Sequence, residues 1–123
     1  MDYYISIFQM QECPYISDTS IQIVAQHCLD IDYIDLSRNE MQYRISDISM
    51  LALGQKSHSL RTLKLNGCDC ITDVGLNWLT EGCKALEEID LSNCNKVSTV
   101  LYYLHANIPF ENLIEYCIIY CIY

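Results

Sequence analysis

Residues 60–83 read LRTLKLNGCDCITDVGLNWLTEGC, and the same order of residue types recurs along the chain. Ile5, Ile31, Leu60, Leu86 and Leu113 each open a copy, at separations of 26, 29, 26 and 27 residues. The fourth copy opens LEEIDLSNCNKVS at Leu86, and the first is ISIFQMQECPYISDTSIQIVAQHC from Ile5. A period of 20 to 50 residues implies supersecondary units that bury their apolar faces only by stacking, which is a solenoid. Function is therefore expected on an extended surface rather than in one pocket.

Each copy divides into a strand, a turn and a helix. Leu63 and Leu65 are two residues apart, the side-chain period of a strand, so Leu60, Leu63, Leu65 and Cys68 are read as buried. The equivalent positions are Ile31, Ile34, Leu36 and Asn39; Leu86, Ile89, Leu91 and Cys94; and Leu113, Tyr116, Ile118 and Cys121. In the first copy they are Ile5, Phe8, Met10 and Cys13. Ser17, Ser46, Thr72 and Ser98 follow as N-caps, whose hydroxyls can accept an orphan amide of the first helical turn. Asp18, Asp47 and Asp73 come next, where negative charge favours a helix N-terminus. The spacing predicts helices over 17–28, 46–57 and 72–83, and a weaker one over 98–107 that is stopped by Pro109. Alternating strands and helices at this period are expected to form one parallel sheet lined by helices.

These residues resemble the cysteine-containing class of leucine-rich repeats, whose pattern is C-x-x-L-x-x-L-x-L-x-x-C-x-x-[IV]-[ST]-D-x-x-[LI]. The resemblance runs from about Ile5 to Cys121. It departs from the pattern at Asn39, with three extra residues before Ile45; at Thr99, which replaces the Asp; and in the fifth copy, which ends at its strand. The resemblance implies an α/β fold: a right-handed superhelix with a curved parallel sheet and helices on its convex side. Residues 1–123 would form a single domain of about four and a half repeats, starting near 5, 31, 60, 86 and 113. The class is commonest in F-box/leucine-rich-repeat proteins, substrate receptors of cullin-based ubiquitin ligases. Similar repeats occur in antagonists of the mitotic exit network and in ciliary subunits. The resemblance thus implies substrate recognition for an F-box-type ligase, or a structural or cell-cycle role without one. Only four residues precede Ile5, too few for an F-box, so a fragment or truncated form is expected.

Charge narrows the partner. Seven Lys and Arg stand against 16 Asp and Glu, a formal charge of −9. Such a chain repels phosphate backbones, so nucleic acid is not the expected ligand and a basic protein is. No stretch is apolar and long enough for a bilayer, and MDYYISIFQM lacks the positive flank of a signal peptide. An intracellular location is expected, cytoplasmic with the nucleus as the alternative. The last residues, CIIYCIY, and the first strand near Met1 look uncapped, and self-association through such ends is expected.

The eight cysteines are read as core residues. Cys13, Cys68, Cys94 and Cys121 share one repeat position, and Cys28 and Cys83 another. Small thiols fit tight turns and can donate weakly to loop backbone. Cys68-x-Cys70 lacks the paired spacing of a zinc site, so no metal or other cofactor is expected. Stacking near 4.8 Å would permit a Cys68–Cys94 disulfide, but a reducing compartment argues against it. His27, His58 and His105 fall at unrelated positions, so no nucleophile–base pair is assembled and no enzyme is expected.

What remains is the outward side of each strand. By alternation this carries Tyr33, Asp35, Lys64, Asn66, Glu88, Asp90 and Glu115, which vary from copy to copy where core positions do not. Packing leaves them free for recognition, and they are the candidate partner-binding residues.

Overall fold

The computed structural model describes residues 7–9, 15–37 and 45–97. These form β1 (Ile7–Gln9), α1 (Asp18–His27), β2 (Tyr33–Asp35), α2 (Asp47–Lys56), β3 (Thr62–Lys64), α3 (Asp73–Gly82) and β4 (Glu88–Asp90). The strands lie parallel in the order β1-β2-β3-β4. Ile34, Leu63 and Ile89 share one register, with Tyr33, Thr62 and Glu88 before them and Asp35, Lys64 and Asp90 after. The expected fifth strand and fourth helix lie outside the described residues, as do Cys13, Asn39, Ser98, Glu115 and Cys121. A parallel sheet whose successive strands are joined by helices fits an α/β leucine-rich-repeat fold.

Three columns of aliphatic side chains hold the stack. Ile31, Leu60 and Leu86 form one; Ile34, Leu63 and Ile89 the second; Leu36, Leu65 and Leu91 the third. All nine are buried, and they form one core with Ile21, Met50, Leu53, Leu76 and Leu79 from the helices. Backbone bonds repeat with the columns. The Asp32 carbonyl accepts from the amides of Arg61 and Thr62, and the Arg61 carbonyl accepts from those of Glu87 and Glu88.

The thiols join the same ladder. Cys68 Sγ donates to the Leu36 carbonyl at 3.4 Å, and Cys94 Sγ to the Leu65 carbonyl at 3.1 Å. Each thiol therefore reaches the equivalent carbonyl of the preceding repeat. The turns need left-handed backbone one residue earlier, where Gly67 (φ 82°) and Asn93 (φ 59°) stand, residue types that tolerate it. Cys28, Cys68, Cys83 and Cys94 are buried free thiols. Cys83 Sγ donates to the carbonyls of Leu53 and Ser57 at 3.4 and 3.3 Å. Burial pushes its pKa up to about 12.

The helix starts are tied across repeats as well. Ser46 and Thr72 cap as expected, accepting from the amides of Ile48 (3.2 Å) and Val74 (3.3 Å). The aspartates do more than meet a dipole. Asp18 accepts from the Ser46 amide (2.9 Å), the Ser46 hydroxyl (2.6 Å) and the Ser49 hydroxyl (2.5 Å). Asp47 accepts from the Thr72 amide (2.8 Å) and hydroxyl (2.5 Å) in the same way. The carboxylate that opens one helix thus holds the N-cap of the next.

Candidate functional site

Away from the core, the described strands present two registered rows. Ile7, Tyr33, Thr62 and Glu88 form the first, and Gln9, Asp35, Lys64 and Asp90 the second. Neighbouring strands stand about 4.8 Å apart, so each row crosses four strands in about 15 Å. Tyr33, Asp35, Lys64, Asn66, Glu88 and Asp90 are all half-buried and brought onto this one surface, as alternation requires.

The charges are more engaged than strand alternation alone implies. Asp35 accepts from the Ser37 amide at 3.0 Å, and Asp90 accepts from the Ser92 amide at 2.9 Å and from the Ser92 hydroxyl. The same Asp-x-Ser turn occurs in both repeats, so each carboxylate terminates its strand locally. Lys64 Nζ stands 3.7 Å from Glu88, a partly exposed pair with a small contribution to stability. Asn93 donates to Asn66 at 3.1 Å, continuing the polar contacts into the loops. At the opposite end of the strands one Arg61 nitrogen donates to both Glu87 carboxylate oxygens, at 2.8 and 2.9 Å, in a partly exposed pair. The face is acidic at Asp35, Glu88 and Asp90, with Lys64 among them and the apolar Ile7, 59% exposed, at its β1 edge.

Among the described residues no three His, Cys, Asp or Glu side chains come together as a metal set. His58 Nδ1 lies 3.0 Å from the Gly82 carbonyl, at a helix end. Among the described residues no helix is long and apolar enough to cross a membrane.

A second surface escaped the reading of outward strand positions. Ile23 (54% exposed), Ile48 (51%), Val74 (55%) and Trp78 (36%) all lie on helices, outside the core spacing. Ile48 and Val74 are the second residues of their helices; Ile23 and Trp78 are the sixth. Second and sixth residues are i and i+4 neighbours, so they share one helix face. The signal was present as apolar residues recurring at positions that the buried set does not need.

Residues 58–103 match the family model for leucine-rich repeats (2 copies). The chain is 34% identical over 111 residues to the antagonist of mitotic exit network protein 1 of Candida glabrata, covering 89% of this chain and 21% of that protein. It is 33% identical over 79 residues to the F-box/LRR-repeat protein 4 of Bos taurus, covering 64% and 13%. With the F-box protein SKIP19 of Arabidopsis thaliana the identity is 32% over 81 residues, covering 66% and 26%. Residues 58–103 thus carry leucine-rich repeats, and the chain resembles the repeat regions of F-box/leucine-rich-repeat proteins. It spans about a quarter or less of the length of these relatives.

Proposed function

We propose that residues 1–123 are one solenoid domain of right-handed α/β repeats that acts inside the cell as a non-enzymatic protein-binding module. Its curved sheet face, with Tyr33, Asp35, Lys64, Asn66, Glu88, Asp90 and Glu115, takes a basic protein partner in the cytoplasm. One observation carries this reading. Core positions recur from repeat to repeat, whereas the registered outward rows, Asp35 and Asp90 apart, differ from copy to copy, and copy-specific side chains on a repeated frame are what a solenoid uses to bind. Within that role we assign the repeats to substrate recognition for an F-box-type ubiquitin ligase, supported by the similarity to F-box proteins. A regulatory role in the cell cycle without a ligase is the second reading, favoured by the 89% coverage of this chain in the match to the mitotic-exit antagonist.

The test of the surface is charge reversal at Glu88→Lys with Asp90→Lys. Capture of the partner should weaken, most at low salt, while stability falls only by what the lost Ser92–Asp90 bonds contribute, about 1 kcal/mol. Unchanged capture across salt concentrations would move recognition off the sheet face. Measuring the abundance of captured proteins after deletion of the gene separates the two roles. Ligase substrates should accumulate and lose ubiquitin conjugates, whereas partners of a regulator should not.

A further inference from the structure

The helices meet at two seams, and these differ. Between α2 and α3 the contact is made by glycines. A Cβ at Gly82 would run into the Gly54 carbonyl, one at Gly54 into the Trp78 carbonyl, and one at Gly75 into the Asp47 carboxylate. The residues at the same helix positions on the α1–α2 seam are Lys56, Ala25 and Ser49. Side chains there hold the helices apart, and a groove of about 300 Å³ lies between them. Ile23, Ala25 and Ala52 supply its apolar part; glutamine amides and the Thr19 hydroxyl supply most of the rest. Among the described residues that line it, Lys56 is charged and none is acidic, in a chain of net charge −9.

We propose that this groove docks an amphipathic helix of a partner protein, apolar on one face and acidic on its flank. Spacing, shape and charge each support that occupant. The exposed Ile23 lies at the groove, and Ile48, Val74 and Trp78 extend the apolar surface past it at the same two helix positions. A groove between adjacent helices receives the side-chain ridge of a third, with apolar anchors at i, i+4 and i+7. Lys56, in the last turn of α2, offers a carboxylate a partner, whereas Lys64 on the sheet face stands 3.7 Å from Glu88. The two faces of the chain then select ligands of opposite charge, and this site is independent of the sheet-face assignment.

The test uses the full 123-residue chain and two stapled twelve-residue helices. Both carry leucines at i, i+4 and i+7; one is flanked by glutamates and the other by lysines. In amide NMR spectra the glutamate helix should shift Gln22, Ile23, Ala52 and Gln55. Lys56→Gln should weaken it about tenfold, and Lys56→Glu should transfer the preference to the lysine helix, as interface charges set selectivity. Glu88→Lys with Asp90→Lys should leave the glutamate helix bound, which keeps this result apart from that of the sheet face. Absence of binding by the glutamate helix, or equal groove shifts from both helices, would overturn the proposal. So would groove shifts that follow dilution of the chain alone, which would make the occupant a second copy.

Discussion

The seam between α1 and α2 and the seam between α2 and α3 are built from one repeat pattern and end up different. Both are tied at the helix starts, by Asp18 on the first and Asp47 on the second. Away from those ties, Gly54 and Gly82 bring α2 and α3 backbones together, while Ala25 and Lys56 leave the first seam open. The polar details follow the same split. Ser49 uses the room to donate to Asp18, whereas Gly75 gives its room to Asp47. A repeat therefore sets which residues are buried, and the non-core positions between helices decide how closely repeats approach.

The largest expected effect comes from forcing the closed seam. Gly82→Ala places a methyl group against the Gly54 carbonyl, and overpacking of this kind should cost about 3 kcal/mol. Lys56→Ala, at the same position of the open seam, should stay within about 0.5 kcal/mol. Urea unfolding of both variants decides the matter, and equal losses would mean that the seams do not differ in packing.

Next in size is the carboxylate tie common to both seams. Asp47→Ala strands the Thr72 amide and hydroxyl, and should lower stability by about 2 kcal/mol, with Asp18→Ala at least as damaging. If instead both alanine variants melt with the parent chain, the carboxylate ties add nothing to stability.

Ser57 offers a gain. It occupies the repeat position of Cys28 and Cys83, and its buried hydroxyl is without a partner among the described residues. A C–S bond is longer than a C–O bond, so a thiol here can reach carbonyls of the preceding helix as Cys83 does. Ser57→Cys should add about 1 kcal/mol, roughly 4 °C in melting temperature. A calorimetric scan showing no rise would place the missing partner elsewhere.

The last effect shows only on the alkaline side and is invisible at neutral pH. The Cys83 pKa is raised from 9.0 to about 12 by burial. The folded chain keeps that proton where the unfolded chain releases it. The contribution is therefore fully present below about pH 9 and is lost as pH rises towards 12. Cys83→Ala should flatten this alkaline limb of a stability–pH curve, and an unchanged limb would show that other groups control it.

Much of this architecture was readable without coordinates. Leu60, Leu63 and Leu65 and their equivalents announce the stacked columns because strand alternation and the repeat period are local properties. Helices expected over 17–28, 46–57 and 72–83 are found at Asp18–His27, Asp47–Lys56 and Asp73–Gly82, since Ser46 and Thr72 cap where their hydroxyls can meet the first turn. The candidate face was legible for the same reason: Tyr33, Asp35, Lys64, Glu88 and Asp90 alternate with buried neighbours. Less legible was how firmly its acids are held, because Asp35 and Asp90 turn back to Ser37 and Ser92 in loops whose conformation the strand pattern does not set.

By itself, then, the sequence determined the repeat, the strand register within each copy and the buried positions, all of which follow from periodicities inside one chain segment. Only the tertiary structure decided that Asp18 and Asp47 bind the next repeat's N-cap, that glycines close one helix seam, and that Lys56 and Ala25 leave the other open as a groove. These features depend on the lateral distance between neighbouring helices. That distance is set by pairs of side chains about 25 to 31 residues apart in sequence, and no period within a single repeat specifies it.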